Sequence, residues 1–323
     1  MAGMAGDTVH SPRGSFLATV ARNGRVCPGH HLLRLAFDSF PPTQPGQFVQ
    51  LQCRATTPPA PARAVAWPAD RPPRLTYPEL AGKEPFLRRP LSLAGRRETA
   101  DGVELEIMYR LAGTGTHWLA GVQAGEELSV LGPLGNSFGI FPDRPAAALI
   151  GGGVGIPPLL YLAESLKAVG KDVVAFTGLR SADRLLLTLV PAAKVDPQGL
   201  PTFCLAELAA LGVPASVSTD DGSLGAKAFA SQTFHRWLDR SGLGPADLAV
   251  YSCGPEPMMK AVGDLCVARG IACQLAVERH MACGMGACQS CIVKIRDGSE
   301  KGWSYKLCCA DGPVFDARDV LFS

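Results

Sequence analysis

The sequence predicts a multi-domain α/β plus β protein in which an antiparallel β-barrel precedes a parallel α/β domain and a small, cysteine-rich C-terminal domain. Three observations lead to this class. The 323 residues exceed what one core of ordinary size holds. Short strand patterns dominate up to about residue 141, and strand–glycine–helix units follow from residue 146. Six of the eleven cysteines fall between residues 273 and 309. The expected domains span residues 14–143, 144–272 and 273–323.

The first domain is predicted to be a barrel because its strand candidates are short and separated by glycine and proline. Residues Val103–Ile107, for example, alternate apolar and polar side chains, which is the period of a half-buried strand. Residues 54–85 break this pattern, since they are rich in proline and arginine. We interpret them as an inserted loop in irregular or polyproline conformation.

The second domain is predicted from two strand-to-helix units. The apolar run Ala147–Ile150 leads through glycines to a helix expected over Leu159–Val169. The run Leu248–Ser252 leads to a helix expected over Glu256–Arg269. Units of this kind form parallel sheets, and ligands bind at the carboxyl ends of the strands in such sheets.

Composition narrows the class of partner. Lys and Arg number 31 and Asp and Glu number 29, so the net charge of +2 provides no basic surplus for nucleic acid. The most hydrophobic stretch, residues 146–163, is interrupted by glycine and proline and does not predict a membrane span. The first 14 residues lack the apolar core of a secretory signal. We therefore expect a cytoplasmic protein with neither nucleic acid nor membrane as partner.

The cysteine spacing near the C-terminus predicts a [2Fe–2S] cluster. Cys283, Cys288 and Cys291 follow the order C-x4-C-x2-C, and Cys309 comes after 17 intervening residues. A structural zinc site would normally use two C-x2-C pairs, which this region lacks. Cys308 and Cys309 are adjacent, so the spacing alone leaves the choice of the fourth ligand open.

Two segments of the first domain together favour a flavin nucleotide site. A guanidinium holds a pyrophosphate through two parallel hydrogen bonds, and a neighbouring hydroxyl can meet a flavin ring. Glycines further on would let a helix N-terminus approach phosphate. Each segment alone fits an ordinary surface strand or turn equally well. The candidate residues are Arg89, Pro90, Leu91, Ser92, Tyr109, Arg110, Gly115 and Thr116.

Two further segments follow predicted strands of the second domain and are candidates for nicotinamide binding. The glycine run lacks the G-x-G-x-x-G spacing of the dinucleotide fingerprint, since Pro157 stands two residues after its last glycine. A tight strand–helix connection is the alternative interpretation. The candidate residues are Gly151, Gly152, Gly153, Gly155, Cys253, Gly254 and Pro255.

One known family carries, in the same order, the motifs PGQF, RPLSL, YRLAGTGT, GPLGNSF, GGGVGIPPL, STDDGSLG, CGPEPMM and ERHMACGMGACQSC…CCADGPVF. The chain resembles the electron-transfer subunits of two-subunit, NAD-dependent dihydroorotate dehydrogenases, which belong to the ferredoxin reductase-like flavoproteins. The resemblance spans nearly the whole chain except its first dozen residues and the proline-rich insert.

The resemblance implies an FAD-binding barrel, an NAD(H)-binding α/β domain and a [2Fe–2S] domain. It also implies that the fourth cluster ligand is Cys309, because the family's last cysteine directly precedes the x-D-G-P-V-F run. The implied partner is an FMN-containing catalytic subunit, joined in a heterotetramer, which oxidises dihydroorotate in de novo pyrimidine (UMP) biosynthesis. This chain would pass electrons to NAD and would not oxidise dihydroorotate alone.

Two alternatives share the same motifs. One is a related NAD(P)H-linked iron–sulfur flavoprotein subunit, of the sulfide dehydrogenase or NADPH–ferredoxin transhydrogenase type, with another electron acceptor. The other is a redox sensor that keeps the cluster but no longer reacts with nicotinamide. The insert at residues 54–85 departs from the compact family pattern and leaves room for a different partner surface.

Overall fold

The computed structural model describes residues 13–56, residue 70 and residues 85–322. Most of the proline-rich insert predicted at residues 54–85 therefore lies outside the described residues. The described chain forms two seven-stranded sheets and one two-stranded sheet.

The first sheet is antiparallel, with the strand order β4-β3-β7-β1-β2-β6-β5. Its strands are β1 (Gly14–Cys27), β2 (His30–Phe37), β3 (Phe48–Leu51), β4 (Arg89–Ser92), β5 (Gly95–Thr99), β6 (Gly102–Arg110) and β7 (Glu127–Leu134). Alternate residues of β2 and β6, such as Leu33, Leu35, Leu105 and Ile107, are fully buried on one face and form the core of this sheet.

The prediction of an antiparallel sheet domain is confirmed, whereas closure of this sheet into a full barrel is not seen among the described strands. No ladder between described residues joins β4 to β5, so these two strands are the edges of a curled half-barrel. Pro90 lies on edge strand β4, where its missing N–H removes no ladder hydrogen bond from a central strand.

The second sheet has the order β11-β10-β9-β8-β12-β13-β16 and is parallel from β11 to β13. The strands are β8 (Ala146–Gly152), β9 (Asp172–Leu179), β10 (Ala215–Thr219), β11 (Ala226–Lys227), β12 (Leu248–Cys253), β13 (Ala272–Ala276) and β16 (Val314–Asp316). The last strand, β16, pairs antiparallel with β13. Residues on both sides of position 273 thus share one sheet, and the predicted domain boundary there stays a prediction.

Five α-helices accompany the described strands. They are α1 (Thr114–Ala120), α2 (Ile156–Ala168), α3 (Ala206–Ala209), α4 (Ala230–Ser241) and α5 (Glu256–Ala268). Helix α2 begins with two prolines in its first turn, where the missing N–H groups have no partner to lose. The predicted helices over 159–169 and 256–269 are confirmed as α2 and α5.

The C-terminal segment packs between the two large sheets. Strands β14 (Ile292–Arg296) and β15 (Trp303–Leu307) form a hairpin of their own. Cys291, Cys308 and Cys309 belong to the same apolar cluster as Phe48 of β3 and Leu275 of β13. The segment that carries Cys283 to Cys309, called the cysteine segment below, is therefore in contact with both sheets. None of the helices in the described ranges is long and apolar enough to cross a membrane.

Candidate cofactor sites

The four cysteines predicted to bind the cluster come together in two pairs. The thiol of Cys288 interacts with that of Cys283, and the thiol of Cys309 interacts with that of Cys291. The backbone N–H of Cys288 lies 3.4 Å from the Cys283 sulfur, and the N–H of Cys309 lies 3.4 Å from the Cys291 sulfur. The charge of Cys283 also acts on Cys309, so the two pairs lie near each other.

The backbone conformation of the loop after Cys283 explains why its N–H groups approach the Cys283 sulfur. Gly284 and Gly286 have φ values of 72° and 89°, in a region that residues with a Cβ rarely adopt. Left-handed turns direct N–H groups inward: the N–H of Met285 lies 3.5 Å from the Cys283 sulfur. N–H groups aimed at a sulfur stabilise its thiolate form.

The pKa values differ across the site. Hydrogen bonds from Ser290 and its backbone, and from Cys283, lower the pKa of Cys288 to about 6. Burial, followed by the interaction with Cys291, raises the pKa of Cys309 to about 12. Within the described ranges, no group of three or more His, Cys, Asp or Glu side chains is arranged to hold a single metal ion. Two pairs of thiols fit a two-iron centre, with one pair for each iron, better than one zinc ion.

The Cys308 thiol has a backbone partner instead of another cysteine. Its side chain is fully buried, and its thiol donates a hydrogen bond to the carbonyl of Val277 at 3.0 Å. Burial raises its pKa to about 12. The geometry thus favours Cys309 as the fourth ligand, the residue that the family resemblance also selects.

The two segments predicted to bind flavin are in direct contact. Gly115 in α1 lies against Arg89 of β4, and a Cβ at Gly115 would approach the Arg89 Nε to 2.7 Å. The Arg89 guanidinium donates to the carbonyl of Leu87 at 2.7 Å. Thr116 secures the turn before α1, because its Oγ1 accepts hydrogen bonds from the N–H groups of Ala112 and Gly113 at 2.8 and 3.2 Å.

The remaining residues of these segments are placed differently. Pro90, Leu91 and Ser92 are half-buried on the edge strand, and Arg110 is exposed at the end of β6. The Tyr109 side chain is 1% exposed in the core of the first sheet, and its hydroxyl donates to Asn23 Oδ1 at 3.0 Å. The structure therefore gives the Tyr109 side chain a packing role, and its flavin role stays a prediction.

The two segments predicted on the nicotinamide side also meet. Strands β8 and β12 are parallel neighbours, with Gly151 opposite Cys253 in the register. A Cβ at Gly155 would overlap with the backbone of Cys253, and one at Gly152 would lie 2.7 Å from the Pro255 ring. Glycine at these positions is what lets the two loops touch at the carboxyl ends of their strands.

The Cys253 thiol at this edge is held neutral. Burial, with a smaller contribution from the charge of Glu278, raises its pKa to about 12. Glu256, three residues further on, forms a 3.0 Å ion pair with Arg279 at the start of the cysteine segment. The nicotinamide-side loop is thereby tied to the segment that carries the cluster thiols.

Sequence reasoning did not single out two residues that join these sites. Asn136, within the GPLGNSF motif, donates through Nδ2 to the carbonyls of Asp311 and Val314 at 3.0 and 2.8 Å. Its Oδ1 accepts from the Val314 N–H at 2.9 Å. Gln50 of β3 is fully buried beside Gly284. The only sequence signal for Asn136 was its position in the GPLGNSF motif, and no sequence signal indicated a role for Gln50.

Comparison with known proteins places this arrangement in a family. A dihydroorotate dehydrogenase B (NAD(+)) electron transfer subunit from Caldanaerobacter subterraneus is 32% identical over 310 residues, which is 96% of this chain and 100% of that protein. The subunit of the same name from Geobacillus thermodenitrificans is 37% identical over 240 residues, covering 74% of this chain and 81% of that protein. The chain belongs to the dihydroorotate dehydrogenase B electron transfer subunit family.

A model of the iron–sulfur cluster binding domain of dihydroorotate dehydrogenase B matches residues 278–321, which hold all four candidate thiols. Among solved structures, the NADH-dependent reduced ferredoxin-NADP oxidoreductase superposes with a TM-score of 0.68 at 22% identity, covering 95% of this chain and 91% of that chain. A ferredoxin NADP+ reductase from Neisseria gonorrhoeae superposes with a TM-score of 0.53 at 17% identity, covering 83% and 95%. This member of the dihydroorotate dehydrogenase B subunit family therefore has the ferredoxin reductase-like fold.

Proposed function

We propose that this chain is an electron-transfer subunit that passes electrons between FMN of a dihydroorotate dehydrogenase catalytic subunit and NAD(H) in de novo pyrimidine biosynthesis. The observation that carries the proposal is the pairing of Cys283 with Cys288 and of Cys291 with Cys309, in a chain related over 96% of its length to a subunit of that name. FAD and a [2Fe–2S] cluster would be its resident cofactors, and it would work in the cytoplasm as part of a heterotetramer.

The cluster would be held by Cys283, Cys288, Cys291 and Cys309 within the domain spanning residues 273–323. The backbone N–H groups of Met285, Cys288 and Cys309 lie within 3.4–3.5 Å of two of these sulfurs, so they stabilise negative charge there. Because the Cys288 residue is exposed, the site lies open to a partner surface.

FAD would bind across residues Arg89–Ser92 and the second segment with Tyr109, Arg110, Gly115 and Thr116, in the domain spanning residues 14–143. Arg89 supplies positive charge for the pyrophosphate, and Gly115 leaves room for its guanidinium. Ser92 presents a hydroxyl from a half-buried edge strand. Tyr109 contributes the buried packing that supports the end of β6.

The nicotinamide of NAD(H) would lie at the carboxyl edge of β8 and β12, within residues 144–272. The contacting glycines, Gly152, Gly155 and Gly254, add no side chains of their own to this edge, and the neutral Cys253 thiol adds no charge there. The bound cofactors supply hydride exchange at the flavin and one-electron exchange at the cluster. The chain contributes binding, proximity and exclusion of water.

The experiment is to purify the chain under anaerobic conditions with FAD and to measure NADH oxidation with ferricyanide as the artificial acceptor. We expect turnover with the isolated chain and none with dihydroorotate as the electron donor. We also expect an FMN-containing subunit to co-purify with the tagged chain from its own host. A flavin-loaded preparation that does not oxidise NADH would refute the proposal. A co-purifying partner of another kind would support a related iron–sulfur flavoprotein with a different acceptor.

A further inference from the structure

Gln50 of β3 has a side chain that the fold buries without satisfying. Its residue is 0% exposed, and neither Nε2 nor Oε1 has a hydrogen-bond partner in the described structure. Buried amide groups are nearly always paired, because an unpaired one loses its hydrogen bonds to water without replacement. The unpaired amide of Gln50 therefore indicates a hydrogen-bond partner that is not a protein atom.

The direction of the side chain follows from the strand pattern. Val49 and Leu51 of β3 belong to the core of the first sheet, whereas Phe48 belongs to the cluster of apolar residues around Cys291 and Cys309. Side chains alternate along a strand, so Gln50 shares the face of Phe48 and points toward the cysteine segment. Gln50 also stands opposite Pro90 of the proposed flavin strand.

The contact of Gln50 is with the loop that carries the first cluster thiol. A Cβ at Gly284 would overlap with the Gln50 amide, and Nε2 is the atom nearest to that position. Gly284 follows Cys283, whose sulfur already receives the N–H groups of Met285 and Cys288. The amide thus lies behind the loop, between the flavin strand and the proposed cluster.

We propose that Gln50 is a hydrogen-bond donor to the iron–sulfur centre and sets its reduction potential. This inference rests on the proposed function. A donor stabilises the reduced centre, which carries one more negative charge, and so raises its potential. Gln50 is paired with Pro90 of the proposed flavin strand, and its amide lies against Gly284 of the cluster loop. Its effect on the reduction potential would therefore act on the side of the cluster that faces the flavin strand.

The test is a redox titration of the purified, cofactor-loaded chain, followed by the electron paramagnetic resonance signal of the reduced cluster. Gln50→Met keeps a side chain of similar length without a donor, and we expect its midpoint potential to fall below that of the unmodified chain. Gln52→Met is the matched control, because Gln52 accepts from Arg88 and is not among the side chains that a Cβ at Gly284 would meet. An unchanged potential in Gln50→Met, or an equal shift in Gln52→Met, overturns the inference.

A second measurement does not depend on the stability of the Gln50 variant. Glutamine labelled with 15N in the side chain is incorporated into Gln289→Asn protein, which removes the glutamine that lies in the cysteine loop itself. The inference predicts a 15N hyperfine coupling to the reduced cluster, and absence of that coupling overturns it. A chain that shows no cluster signal at all would instead refute the proposed function, so the two failures are distinguishable.

Discussion

Cys308 and Cys309 are neighbours in the chain, yet their thiols interact with different partners. The Cys308 thiol donates to the Val277 carbonyl at 3.0 Å, whereas the Cys309 thiol interacts with Cys291, whose sulfur lies 3.4 Å from the Cys309 N–H. Both residues are buried, so exposure does not distinguish them. The direction of each side chain does, because it gives the Cys308 thiol a backbone partner and favours Cys309 as the proposed cluster ligand.

Cys309→Ala is therefore expected to abolish the visible absorption of the cluster, because one iron would lose a thiolate. Cys308→Ala should keep that absorption and lower the free energy of unfolding by about 1–2 kcal/mol, since it removes a buried thiol and its hydrogen bond. Absorption spectra and iron content of the two purified variants check this. Loss of the cluster in Cys308→Ala with retention in Cys309→Ala would reassign the ligand.

The contact between Gly115 and Arg89 predicts an effect on flavin binding. An alanine at Gly115 would place its Cβ about 2.7 Å from the Arg89 Nε and displace the guanidinium. We expect Gly115→Ala to raise the dissociation constant for FAD at least about tenfold, which is about 1.4 kcal/mol. Fluorescence titration of the flavin-free chain measures it.

Gly298→Ala is the control for this variant. Gly298 lies outside both proposed flavin segments, and a Cβ there would meet nothing within 4 Å. Its affinity for FAD should equal that of the unmodified chain. Equal affinities in all three proteins would show that Arg89 does not hold the flavin nucleotide.

Local patterns in the sequence predicted a large part of this structure. Helices α2 and α5 begin and end close to the expected residues, since apolar periodicity and flanking turns determine them. The cysteine spacing likewise predicted the close approach of Cys288 to Cys283, which are five residues apart. These features depend on residues that are near one another in the chain.

Features that depend on distant parts of the chain were not predictable in this way. The pairing of β16 with β13 and the unpaired edges of β4 and β5 depend on contacts between distant residues. Local sequence periodicity does not predict such contacts. Gln50 looks like any polar residue of a half-exposed strand, and its burial comes from the loop at Gly284, more than 200 residues away. Tyr109 matched a flavin motif, but the packing of the first sheet buries its side chain.

The close approach of Gly155 to Cys253 predicts an effect on nicotinamide binding. Any Cβ at Gly155 would overlap with the Cys253 carbonyl and push the two loops apart. We expect Gly155→Ala to raise KM for NADH at least about tenfold, equivalent to about 1.4 kcal/mol, while the FAD content stays unchanged. Steady-state assays with ferricyanide measure this.

Gly298→Ala controls for a general effect of adding a methyl group, because a Cβ there would meet nothing within 4 Å. Its KM should equal that of the unmodified chain. An unchanged KM in Gly155→Ala would place the nicotinamide away from this edge of the sheet.

The raised pKa of Cys253 predicts slow and strongly pH-dependent alkylation. Burial raises this pKa to about 12 from the ordinary value of 9.0, so the reactive thiolate is scarce at pH 8. In the folded, cluster-loaded chain, iodoacetamide should modify Cys253 at least about a hundredfold more slowly than in the urea-unfolded chain. Because the pKa is raised, the folded-state rate should keep rising about tenfold per pH unit from pH 8 to 10, whereas the unfolded-state rate levels off above pH 9.

Mass spectrometry of the Cys253 peptide after timed alkylation measures both rates. Glu278→Gln provides an independent check of the cause, since the charge of Glu278 is the smaller contribution that raises this pKa. Its removal should speed alkylation slightly while burial still dominates. Equal alkylation rates in the folded and unfolded chains at pH 8 would show that the Cys253 thiol is exposed and ionisable. That result would contradict the proposal that Cys253 is neutral beside the nicotinamide.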